Sequence, residues 1–133
     1  MYLVDTNVWL ERLLDQEKSD EVGRFLDSVP SSELLMTDFS FHSLGVILDR
    51  LNRREALRCF VQDAFIRGAV GLVRLEPEDT DQILRIIEQF NLDYDDAYQY
   101  VCAIKNSMTL VSFDSDFDRT ERGKMTPGQV ADA

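Results

Sequence analysis

Short apolar runs alternate with stretches in which apolar residues recur every three or four positions. Tyr2-Leu3-Val4 is the first run. Asp5-Thr6-Asn7 interrupts it, and Val8, Leu10, Leu13 and Leu14 follow at helical spacing. This predicts strand, turn and helix, with Asp5 at the strand's carboxyl end. Val22, Phe25, Leu26 and Val29 predict a second helix, stopped by Pro30. Leu34-Leu35-Met36 predicts a buried strand. Thr37 or Asp38 then caps a helix carrying Phe41, Leu44, Ile47, Leu48 and Leu51. Another helical pattern runs through Ala56, Phe60, Ala64 and Phe65 and ends near Gly68, and Val70-Gly71-Leu72-Val73 predicts a third strand.

Pro77 ahead of Ile83, Ile86, Ile87 and Phe90 predicts a helix with proline in its first turn. Asn91-Leu92-Asp93-Tyr94 reads as a turn. Ala97, Val101 and Ile104 mark the next helix, and Thr109-Leu110-Val111-Ser112 a fourth strand. The tail from Thr120 is polar, with a turn at Pro127-Gly128. Strands alternating with helices predict an α/β fold with a mainly parallel sheet. No repeat, low-complexity tract or linker divides residues 1–133, so one domain is expected.

Composition narrows the classes. No apolar run approaches the roughly 18 residues a membrane span needs. The start, MYLVDTNVWL, lacks the basic-then-apolar order of a signal peptide. Cys59 and Cys102 match no metal or redox spacing, which predicts free thiols and a cytoplasmic setting. Both fall on apolar helical stripes and read as buried fillers. Twenty-five acids against 14 bases give a net charge of -11. The overall field therefore repels a polyanion, and any action on nucleic acid needs local bases or bound cations.

Four acids draw attention because open α/β sheets bind ligands beyond the carboxyl ends of their strands. Asp5 follows strand one, and Asp114 and Asp116 follow strand four. Asp96 opens the helix before strand four. A helix start is expected at the opposite edge, so the loop before Asp96 must bend to bring it to the others. Taken singly, these acids have plainer readings. Asp95 and Asp96 suit a helix cap, as do Asn7 and Asp38, and Asp114-Ser115-Asp116 suits a solvated turn. His42, the one histidine, reads as packed or surface-exposed. Ser43 has no base partner in the pattern and is not expected to be a nucleophile. Trp9, Phe39, Phe41, Tyr94 and Tyr98 read mostly as core.

MYLVDTNVWL, LDYDDAYQYVCA and LVSFDSDFDR, in that order, resemble the PIN domain, the nuclease domain of VapC-type toxins. The resemblance covers essentially the whole chain. It implies a three-layer fold with four or five short strands, and a Mg²⁺- or Mn²⁺-dependent endoribonuclease leaving 5′-phosphate and 3′-hydroxyl ends. By the resemblance Asp5, Asp96 and Asp114 hold the metal and Asp116 is the accessory acid. Asn7 orients the first acid, and Ser112 is the hydroxyl residue just before the last acids. It also implies a homodimer and a small antitoxin that blocks the acidic pocket.

One position departs from the family pattern. The glutamate expected in the helix after strand two is Ser43 here, with Asp38 and His42 the nearest substitutes. An alternative is therefore a degenerate PIN domain that binds RNA or protein without cutting. A phosphatase of the haloacid-dehalogenase type is disfavoured, because the acid it wants two residues after its nucleophilic aspartate is Asn7 here. Arg50, Arg53, Arg54 and Arg58 form the basic cluster. Positions 50, 54 and 58 share a face if the helix is unbroken, either as a solvated face or as an RNA-contacting rim.

Overall fold

Three residues, Tyr2–Val4, form strand β1 in the computed structural model, which describes residues 1–133. Strands β2 (Leu34–Thr37), β3 (Gly71–Val73) and β4 (Thr109–Val111) join it in one parallel sheet ordered β3-β2-β1-β4. Parallel strands need long crossovers, and helices supply them. The helices are α1 (Thr6–Leu13), α2 (Ser19–Ser28), α3 (Asp38–Arg50), α4 (Arg54–Val61), α5 (Thr80–Phe90), α6 (Tyr94–Lys105) and α7 (Pro127–Ala131).

Side chains alternate along a strand, so each strand feeds two cores. Leu3 and Leu110 enter one core, with Ile83 and Ile86 of α5 and Ala97, Val101 and Cys102 of α6. Val4 and Val111 enter the other, with Val8 and Trp9 of α1, Val22 and Phe25 of α2 and Leu44 of α3. The result is three layers, helix–sheet–helix. Both faces are covered, as a parallel sheet requires.

The order β3-β2-β1-β4 places the site. The chain builds outward from β1 on one side, then crosses back to lay β4 on its other flank. The switch point, where ligands lodge in such sheets, therefore lies between the carboxyl ends of β1 and β4.

Helix α6 corrects the expected edge for Asp96. Its 12 residues span roughly 18 Å and end just before β4, which begins at the amino edge. A helix running antiparallel to the strands into a strand's start must itself begin at the carboxyl edge. The preceding segment does the returning. Lys105, at the end of α6, reaches Asp79 just before α5 at 2.8 Å, so both lie at the amino edge. Asn91, in the left-handed conformation (φ 54°), ends α5 so that α6 can fold back on it.

Four local expectations also change. The condition for a shared arginine face fails: α3 ends at Arg50, and Asn52 turns with φ 56° before α4 starts at Arg54. Arg50, Arg54 and Arg58 therefore do not share one helical face. Cys59 is exposed, because α4 turns Phe60 inward and its neighbour points away, whereas Cys102 is buried as expected. Burial pushes the Cys102 thiol up to about 11. Tyr94 is half exposed rather than core. The tail is ordered by tertiary pairing. Met125 bridges Val111 in parallel, and Thr126 caps α7 reciprocally with Gln129, with Pro127 in its first turn. Val130 then enters the core, and Gly128 N–H donates to Glu21 at 2.8 Å.

Candidate metal centre

The end of β1 and the end of β4 are tied together first. Asp5 N–H donates to the Val111 carbonyl at 2.9 Å, extending the sheet by one residue. Asp5, a residue only 6% exposed, then turns the chain into α1. Ser112 Oγ donates to Asp5 Oδ2 at 2.7 Å. The same hydroxyl accepts from Asp114 N–H at 2.9 Å and from Asn7 Nδ2 at 3.3 Å. One proton and two lone pairs are all used, so the Ser112 proton can only point to Asp5. Asn7 thus acts on Asp5 through Ser112. Its Oδ1 accepts from Phe113 N–H at 3.3 Å.

Asp114 opens the single turn Ser115–Arg119 and accepts Asp116 N–H at 2.8 Å, which aims Asp116 back toward it. Asp96 comes from α6. Its cap is Asp93, whose carboxylate accepts Asp96 N–H at 2.9 Å, so Asp96 itself is spared that role. Carboxylate oxygens of Asp96, Asp114 and Asp116 all lie within 4.8 Å of one another. Asp5 lies outside this trio, near enough that its charge bears on Asp96.

The electrostatics are those of a site short of positive charge. Burial pushes the Asp96 carboxyl up to about 7, and the charges of Asp93, Asp114 and Asp5 push the same way. Burial also raises Asp5, opposed by hydrogen bonds from Gln99, Ser112 and the Thr6 backbone. The only basic side chain bridged to any of the four acids is Arg119, at 3.5 Å from Asp116. Clustered carboxylate oxygens at these separations suit a hard divalent cation such as Mg²⁺ or Mn²⁺.

The remaining candidates sit elsewhere. Ser43 is half-buried on α3, outside the acid trio. Asp38 is exposed, and its carboxylate accepts the Tyr98 hydroxyl at 3.0 Å, while Thr37 rather than Asp38 caps α3. His42 is exposed. Arg54 pairs with Asp49 at 2.6 Å and Arg58 with Glu55 at 2.9 Å, which leaves Arg50 and Arg53 free of ion pairs. Arg50 ends α3, roughly 18 Å along the helix from Asp38 at the carboxyl edge. The sequence reading missed Gln99, which donates to Asp5 Oδ1 at 2.6 Å. Its signal was the three-residue spacing from Asp96, which puts both on one face of α6.

The model of the PIN domain matches residues 2–123. The chain belongs to the PIN domain family. Solved structures agree on the fold. VapC20 of Mycobacterium tuberculosis, described as a sarcin-ricin loop cleaving toxin, superposes at a TM-score of 0.78 with 15% identity, covering 96% of this chain and all of that one. A toxin–antitoxin complex from Klebsiella pneumoniae gives 0.76 at 16% identity, covering 96% and 98%. FitAcB of Neisseria gonorrhoeae gives 0.74 at 21%, again covering 96% and 98%. At these identities the likeness is one of fold. A comparison with curated protein sequences finds no match. No helix is long and apolar enough to cross a membrane.

Proposed function

We propose that this PIN-domain protein is a Mg²⁺- or Mn²⁺-dependent endoribonuclease of the VapC toxin type. The observation that carries the reading is the meeting of Asp96, Asp114 and Asp116 at the switch point of the sheet, with Asp5 near enough for its charge to bear on Asp96. Asp96, Asp114 and Asp116 would hold the ion, and Asp5 would complete the set directly or through water. When bound, such an ion supplies Lewis acidity to the phosphodiester and to the attacking water. The chain's own residues do the rest. Ser112 and Asn7 hold Asp5 in place, and Asp114 fixes the turn that carries Asp116. No protein nucleophile is needed, and the chain offers no histidine for an acid–base pair at the trio.

A small antitoxin covering the pocket, a homodimer and a cytoplasmic setting belong to the same proposal. The structural neighbours named as a toxin–antitoxin complex and as a toxin support the first. Helices α3 and α4 pack together as a helical hairpin; Arg50 and Arg53 are its cations free of ion pairs, and they are the proposed RNA contacts within the basic cluster.

Cleavage of single-stranded RNA with Mg²⁺ or Mn²⁺, abolished by EDTA and by Asp96→Asn, is the expected outcome. Cleavage that persists in Asp96→Asn contradicts the assignment. Ser43, standing where the family pattern expects a glutamate, favours a second reading: a domain that binds RNA without cutting. Metal binding and RNA binding without cleavage, in wild type and variant alike, would select it.

A further inference from the structure

Gln99 is a buried polar side chain in a position that an apolar one would fill more cheaply. It is 2% exposed on α6, three residues beyond Asp96. Its Nε2 donates to Asp5 Oδ1 at 2.6 Å, while its Oε1 is buried without a partner. An unpaired buried carbonyl oxygen costs folding free energy, so such a group calls for an explanation other than packing. The amide cannot relieve the cost by turning over. That would set Oε1 against Asp5 Oδ1 and give up the 2.6 Å hydrogen bond. Ser112 already holds the other oxygen of Asp5 at 2.7 Å. With Gln99 on Oδ1 and Ser112 on Oδ2, the Asp5 carboxylate is clamped at both ends and cannot rotate.

We propose that Gln99 is a positioning residue for the acid cluster: it fixes the Asp5 carboxylate from α6, and through Asp5 it sets the cluster's affinity for a divalent cation. This rests on the metal-centre reading above. The two residues lie 94 positions apart in sequence, so the hydrogen bond also registers α6, with Asp96, against β1. Outer groups that hold a metal-ligating side chain typically change metal affinity by 10-fold or more.

Titration calorimetry of the full chain with MnCl₂ tests this on wild type, Gln99→Met and a packing control, Cys102→Ala. Cys102 is fully buried on the same helix and faces the apolar core. Gln99→Met should weaken Mn²⁺ roughly 10-fold, whereas Cys102→Ala should lower the melting temperature and leave the affinity alone. Wild-type affinity in Gln99→Met, or equal weakening by Cys102→Ala, overturns the proposal. A second measurement uses wild type only, in case Gln99→Met does not fold. The Gln99 side-chain amide signals, followed by NMR during a MgCl₂ titration, should shift with the midpoint of Mg²⁺ binding, and signals that stay fixed overturn the proposal. Wild type that takes up no Mn²⁺ overturns the metal-centre reading itself, while binding that ignores Gln99 overturns this inference alone.

Discussion

Asp96 is where the cost of the acid cluster concentrates. Its carboxyl is raised from 3.8 to about 7, first by burial and then by Asp93, Asp114 and Asp5. The folded chain therefore holds this proton more tightly than the unfolded one. The contribution to stability is fully present below about pH 4 and is lost as pH rises through about 7. In EDTA, melting temperature should fall across that window, and Asp96→Asn should flatten the fall and melt higher than wild type at pH 8. Differential scanning fluorimetry reads both, and identical pH profiles for the two proteins would contradict the assignment. Ser112 acts in the opposite sense. Ser112→Ala removes a donor from Asp5 and the acceptor of Asn7 and Asp114 N–H. Leaving such groups unpaired costs about 1–3 kcal/mol, so its urea midpoint should drop. Ser112's full set of bonds is not visible in the sequence, and the spacing of Gln99 from Asp96 shows a shared helix face but not the contact with Asp5. Both depend on side chains from β4 and α6 meeting β1, which only the folded chain brings together.

The elements themselves were largely legible, because their apolar spacing is their packing. Leu3 and Val4, adjacent in sequence, feed opposite cores, and Val8 and Trp9 continue one of them in α1. What periodicity could not show was direction. The start of α6 lies with the acids because its end must feed β4, a constraint that involves two elements at once. The break after Arg50 was hidden for a related reason. Asn52 sits in an exposed turn where the apolar stripe carries no signal, so spacing alone left open whether one helix ran on to Arg58. The tail carried a readable cue, the Thr126-Pro127-Gly128-Gln129 capping sequence, which the turn-forming Pro-Gly pair masked. Thr126→Ala should cost about 1 kcal/mol and loosen α7 from α2. Faster amide exchange at Val130 would report it, and unchanged protection would show that burial alone holds the helix.

Across the whole molecule, a net charge of -11 sets the terms for any anionic substrate. The basic side chains of the helical hairpin are partly spent on Asp49 and Glu55. RNA should therefore bind weakly in EDTA and more tightly with a divalent cation that cannot support cleavage, such as Ca²⁺. Replacing Arg50 and Arg53 by glutamate should weaken that binding and flatten its dependence on salt. Filter binding across a salt series checks it, and an unchanged slope would remove the hairpin from the RNA path. Divalent ions should also stabilise the protein, because they bind the folded cluster and relieve its repulsion. The most direct measurement is calorimetric titration of Mn²⁺ into wild type and Asp96→Asn at neutral pH. Saturable uptake by wild type, weakened at least 10-fold in the variant, is what a shared carboxylate centre requires. No uptake by wild type, or equal uptake by both, would mean that Asp96, Asp114 and Asp116 do not form one.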